Sequence, residues 1–232
     1  MRVPRKNNSI MDNQIRRSNQ WVTIGGISGI VANFIFVILI TCSLPIAIEI
    51  FLIGMFGILF SICGFGIHHL LKYERPTILS EIAGLFIFIS GVLFNLMLVV
   101  QQVSRGYLSH FTSQSLGPNE YEILKWIEKS LDTIHLAMQL SNDFFYGTAM
   151  FLFSVIMFKH SAFGKAWSIS GIGIALMLFI VKCYSFPFTP QEIGIPFFLG
   201  PLVSLWFVLV CIQCLRKRHK LLEIDIGSNL II

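Results

Sequence analysis

Five polar residues recur at helical spacing inside one apolar stretch of the chain: Asp132, His135, Gln139, Asp143 and Tyr146. Their intervals of three, four, four and three put them on one face of a helix. Asn142 flanks that face. Carboxylate, imidazole, amide and phenol groups in such a row can bind a proton, a cation or a polar solute. The same groups can instead bond to a neighbouring helix and fix its register, a contact worth about 1 kcal/mol in a membrane. Asp143→Asn separates the two roles, because register should survive that change and ion coupling should not.

The stretch that carries Gln139, Asn142, Asp143 and Tyr146, "LAMQLSNDFFYGTAMFLF", otherwise reads as a membrane span. An ionised carboxylate is heavily penalised in hydrocarbon, so Asp143 needs donors or a cation, and its face should turn into a helix bundle or a water-filled cavity. Asn95, at similar depth on the third span, is the expected donor. Lys182, near the outer end of the fifth span, is the candidate cation, although its long stem could equally reach the headgroups. The candidate site is therefore Asp143, Asn142, Gln139, Tyr146, His135 and Asn95.

A polar face of this kind must be framed by other helices, and the composition supplies them. Of 232 residues, 55% are hydrophobic and only 12% charged, with 22 phenylalanines. Mean hydropathy is +0.75. A soluble domain carries about 25% charged residues, so this chain is made for lipid. The net charge of +5 does not indicate nucleic acid. Its basic residues sit at the ends of apolar runs and form no separate basic domain.

Roughly 20 apolar residues cross the hydrocarbon core as a helix. Six stretches qualify: Trp21 to Cys42, Ile46 to Leu71, Ile78 to Val103, Thr133 to Phe158, Trp167 to Tyr184 and Ile195 to Leu215. The alternation of a membrane β-barrel is absent. The predicted fold is an all-α polytopic bundle of six transmembrane helices, with residues 1–20 as a tail, 21–215 as the membrane domain and 216–232 as a basic tail. The first apolar run is too long for a signal-peptide core and no A-x-A site follows it, so it is expected to be retained.

Thirteen of the 17 Lys and Arg fall in the N-terminal tail, the second and fourth loops and the C-terminal tail. Only Arg105, Lys125, Lys129 and Lys182 remain for the other side. The positive-inside rule therefore predicts that both termini are cytoplasmic, as an even number of spans requires. The outer loop from Ser104 to Asp132 contains "PNEYEILKWIEKSLD", read as an amphipathic surface helix over about 118–131 with Asn119 and Glu122 as its capping pair. The fifth loop, with three prolines, should be stiff and non-helical.

Small residues predict how the helices meet. Gly54, Gly57, Ser61, Gly64 and His68 form one stripe on span two, and Glu81, Gly84, Phe88, Gly91 and Asn95 form another on span three. Span one offers Gly25, Gly26, Ser28 and Gly29 as a receiving surface. Backbones approach closely at such stripes, so spans one to three should pack tightly. Spans one and five also share a Trp start, an "ISGI" segment and a Cys-containing end before proline, which suggests two parallel hairpins.

Other chemistry has little support. Cys211-x-x-Cys214 lacks the surroundings of a redox motif and the four ligands of a zinc site, and is read as two buried thiols. Cys42 and Cys183 lie near outer helix ends, where a disulfide is possible but unassigned. Neither H-E-x-x-H, G-x-S-x-G nor a phosphate-binding loop occurs. No cofactor, metal or catalytic group is expected; the expected partners are the lipid bilayer and a small ion or polar solute.

The segment "FFYGTAMFLFSVIMFKHSAFGKAW", followed by "SISGIGIALMLF", resembles a family of bacterial multi-pass integral membrane proteins of unknown function. The shared features are a helix containing Gly147, a short basic turn from Lys159 to Lys165 with Ser161, and Trp167 opening the next helix. The family favours proline in that turn, where this chain has Gly164. The resemblance implies a bacterial inner membrane and assigns no activity. The residues themselves suggest a small transporter or channel-like protein with an outward-opening site at Asp143, or alternatively a non-catalytic scaffold or partner subunit whose polar face sets helix packing.

Overall fold

The computed structural model describes residues 6–74, 76–112, 117–188, 190, 192–194 and 199–218. Among them every regular element is a helix: α1 (Lys6–Thr41), α2 (Ile46–Glu74), α3 (Ile78–Thr112), α4 (Pro118–Met157), α5 (Lys165–Ser185) and α6 (Gly200–Lys217). All six are long and apolar enough to cross a membrane. Large apolar side chains point outward from every one, among them Phe34, Phe51, Leu85, Phe144, Ile180 and Leu205. Lipid solvates such a surface and water does not. The chain is an all-helical, multi-pass membrane bundle.

Local chemistry sets the turns. The Pro45 carbonyl accepts from the Ile48 and Glu49 amides at 2.9 and 3.0 Å, which closes the first turn of α2. Gly164 precedes α5 with φ of 80°, a left-handed backbone that a side chain would resist. The start of α4 differs from the sequence expectation. Pro118 occupies its first position, and the Gly117 amide donates to Glu120 Oε2 at 2.9 Å, in place of a cap built on Asn119 and Glu122.

The amphipathic stretch over 118–131 is not a separate surface helix. It continues into the fourth span, and α4 has 40 residues. No Gly or Pro interrupts the run between Pro118 and Gly147, so nothing breaks the helical hydrogen bonding. At 1.5 Å per residue α4 is about 60 Å long, twice the roughly 30 Å hydrocarbon core. Its antiparallel partner α3 is likewise longer than its expected span, at 35 residues. Residues 189, 191 and 195–198 of the fifth loop lie outside the described residues, and α6 begins at Gly200 rather than Ile195, with Leu199 as its N-cap and Pro201 in its first turn. The basic tail lies outside the described residues too, from residue 219.

Around the bundle the helices follow the order α6, α1, α2, α3, α4, α5, with α2 also reaching α4 and α6. Among the described residues α5 and α6 are the neighbouring helices that approach least closely. Spans one to three pack closely as expected, but it is the stripe on α3 that receives the one on α2: Gly57 lies against Gly91 and Asn95, and Gly64 lies against Ile87. Span one, however, does not receive the stripe of Gly54 to His68. Gly25 meets Gly66, backbone against backbone, and Gly29 lies beneath the sulfurs of Cys63 and Cys211. One helix face cannot serve two neighbours, so α2 turns a second set of small residues toward α1. The hairpins do not match either, since α1 packs backbone to backbone along α2 whereas α6 meets α5 through the Trp206 ring, which lies on Gly171 and donates from Nε1 to the Trp167 carbonyl at 3.4 Å.

The C-terminal end of α6 lies beside the middle of α1, with Arg218 Nη1 donating to Thr23 Oγ1 at 3.2 Å. Beside them the half of the bundle nearest the termini is solid. Val22, Cys63, Phe153, Met157, Val210 and Cys211 have no measurable exposure. His68 belongs to this half, with its Nδ1 3.1 Å from Ser80 Oγ, as an interface side chain.

Candidate functional site

Asp143 sits midway along α4, and its Oδ2 lies 2.7 Å from Lys182 Nζ on α5. Each side chain is only 15% exposed. Of the two fates open to Lys182, pairing is the one realised. The pair forms because α4 and α5 run antiparallel in register: Gly147 of α4 receives Phe179 and Leu178 of α5, and Ser154 lies against Gly171. Closer to the termini the Ser168 hydroxyl donates to the Ser154 carbonyl. That register leaves Lys182 level with Asp143.

A second helix reaches the site from the other side. Ser90 Oγ of α3 donates to Asn142 Oδ1 at 2.7 Å, and both residues are buried. The Asn142 amide in turn lies 3.5 Å from Asp143 Oδ1. A chain of polar contacts thus runs from α3 through α4 to α5.

Asn95 has no part in it. Its side chain lies over Gly57 in a groove between α2 and α3, on the outer surface of the bundle. Its Oδ1 is covered and has no hydrogen-bond partner among the described residues. Five residues separate Asn95 from Ser90, which turns it about 140° away around the helix. Depth alone suggested Asn95 as the donor to Asp143; the helical angle selects Ser90.

The polar chain forms one wall of a cavity of about 280 Å³. Residues from all six helices line it. His135, Gln139, Asn142, Asp143 and Tyr146 all do so, and five of the six sequence candidates therefore converge. His135 Nε2 is covered, without a hydrogen-bond partner among the described residues. Asp132 continues the same helical face but is exposed and lies outside the cavity.

The remaining walls are mainly apolar, built from Phe36, Phe56, Phe94, Met97, Leu178 and Val203. Aromatic rings form the floor. Tyr146 stacks on Phe207 with centroids 4.9 Å apart, and Phe60 meets both edge-on at 5.2 and 5.6 Å. Beyond that floor lies the solid half of the bundle. The cavity is therefore closed toward the chain termini.

Four polar lining residues were not anticipated: Asn33, Ser90, Gln101 and Ser204. Asn33, whose amide donates to the Gly29 carbonyl at 2.8 Å, is 4% exposed in the second half of α1. Ser90 and Gln101 come from α3. A lone Asn within the apolar first span was a usable signal; one Ser among many spans was not.

Cys63 and Cys211 face each other below the floor with sulfurs 3.4 Å apart, and Cys214 is buried nearby. These thiols are enclosed by α1, α2 and α6. Cys42 and Cys183 are exposed and unbonded. Among the described residues no group of three or more His, Cys, Asp or Glu is arranged to hold a metal ion.

No family model, curated protein or solved structure matches this chain. The site must be read from its own chemistry.

Proposed function

We propose that this protein is a small membrane transport or channel-like protein that holds a solute at the Asp143–Lys182 pair. One observation carries the reading: a buried ion pair lies in the wall of a cavity to which six helices contribute. Intramembrane ionisable residues are costly, and where they line a cavity they mark solute or ion pathways. The cavity is closed on one side by the Phe60–Tyr146–Phe207 floor, as a binding state with one-sided access requires. The basic residues near the chain ends favour a cytoplasmic location for both termini, which would open the cavity outward. A bacterial plasma membrane fits that orientation and the resemblance of spans four and five. The reading assigns no catalysis.

A scaffold or partner-subunit role is the second reading, favoured by the Ser90–Asn142 bond, which ties α3 to α4 whether or not a solute binds. Proteoliposomes loaded with a pH-sensitive dye separate the two. The transport reading expects wild type to couple solute movement to protons and Asp143→Asn to lose at least nine-tenths of that proton movement while keeping its fold. Equal, dye-silent behaviour of both proteins would leave the scaffold reading standing. Orientation is tested on intact cells, where a membrane-impermeant maleimide should label Cys42 and Cys183 from outside. Labelling only after lysis would reverse the topology.

A further inference from the structure

We infer that the cavity takes an uncharged amphiphile, with an apolar body and a hydrogen-bonding oxygen or amide head, rather than an inorganic ion. This rests on the proposal that the cavity is a solute site, and narrows it. The first argument is charge. Asp143 and Lys182 neutralise each other across 2.7 Å. A charged head would leave a net charge in a low-dielectric site, or would have to break the pair, and both are heavily penalised. A neutral head leaves the pair whole.

The second argument is the distribution of polar atoms. Eight of the ten polar lining residues stand on α3, α4 and α5, whereas α1, α2 and α6 contribute Phe36, Phe56, Phe60 and Val203 with only Asn33 and Ser204 among them. A ligand matching both walls has a polar end and an apolar body. A lysine ammonium carries three donors, and among the described residues its one close contact is Asp143. His135 Nε2 is covered and without a partner among those residues, and Gln139 lines the same wall. A carbonyl, hydroxyl or amide group can satisfy these atoms together; a bare cation would be repelled by Lys182.

Size is the third argument. A cavity of about 150 Å³ accommodates benzene. This one, at about 280 Å³, suits a molecule of about a dozen non-hydrogen atoms. At the seam between α5 and α6 neighbouring helices approach least closely among the described residues, and the Trp206 ring bridges it at Gly171, outside the cavity lining. Both helices contribute cavity-lining residues beside it, Leu178 and Lys182 on one and Val203 on the other. An amphiphile dissolved in the bilayer would therefore reach the site sideways through that seam.

The test uses the full chain in lipid nanodiscs and tritiated octanamide, read by scintillation proximity with empty nanodiscs subtracted. Unlabelled octanoate, octylammonium and acetamide compete as the anionic, cationic and chainless counterparts. The inference expects saturable octanamide binding that each competitor displaces at least tenfold less well than unlabelled octanamide. Val203→Trp fills the apolar side without touching the ion pair and should abolish binding. Leu98→Trp, on another wall, serves if that variant does not fold. Displacement by octanoate, octylammonium or acetamide as effective as by octanamide overturns the amphiphile assignment while keeping a solute site. Octanamide binding that survives both tryptophan variants overturns it as well. Absence of saturable binding by any of the four compounds, each tested directly in labelled form, overturns the solute-site reading itself.

Discussion

The half of the bundle beside the chain termini and the half opposite it are built from the same six helices, yet they solve the problem of packing in lipid differently. Near the termini, glycines bring backbones into contact at Gly25–Gly66, and Cys63, Cys211 and Phe153 fill what remains. Opposite, a space remains at the centre of the bundle, lined by aromatic rings, an ion pair and amides. The first half gains from dispersion and close approach. The second forgoes some of that packing to keep a polar chamber within the apolar phase. Stability and site are thereby divided between two ends of one fold.

This contrast is sharpened most by the ion pair. Lys182→Ala leaves the Asp143 carboxylate buried and unpaired in mid-helix, at a cost of about 3–5 kcal/mol. Asp143→Ala should cost less, because Lys182 stands three residues from the end of α5 and its stem can carry the ammonium toward the headgroups. Equilibrium unfolding in mixed micelles orders the two; equal losses would remove the asymmetry of depth on which this rests.

In the solid half, Gly25→Ala forces a methyl group against the Gly66 backbone and should destabilise by about 1–3 kcal/mol. Unfolding in the same micelles reads it, and a tolerated Gly25→Leu would show that α1 and α2 are not held at backbone contact. Ser90→Ala removes the α3–α4 hydrogen bond at the chamber. It should cost only about 0.6 kcal/mol, the usual worth of such bonds in membranes. A much larger loss would mean that the polar chain acts as one unit. Gly54 has no neighbour within 4 Å of an added methyl. Gly54→Ala should therefore be neutral or stabilise by about 0.5 kcal/mol through helix propensity, and a clear loss there would reveal a contact on that face.

The six helices were readable because each is longer and more apolar than any soluble alternative would allow. The polar face of α4 was readable for a related reason, since one helix obeys one period and His135, Gln139, Asp143 and Tyr146 keep it. Relations between helices were harder. Asn95 and Ser90 lie at comparable depth, and only their angle around α3 decides which meets α4. Gly66 and Gly64 are two residues apart and serve different neighbours. Nothing local in the sequence records which partner lies on which side. The junction at Asp132 was missed because a change from polar to apolar composition resembles a boundary, although the backbone has no reason to break there.

The unbroken course of α4 has a mechanical consequence. It is a rod about 60 Å long, twice the thickness of the hydrocarbon layer, with no flexible joint between its Pro118 tip and Asp143. Its first turns extend beyond the depth needed to cross the lipid. Bending stiffness along such a rod is high, so a sideways push on the tip is delivered to the Asp143 carboxylate as a lever movement, and the far end serves as a handle on the chamber.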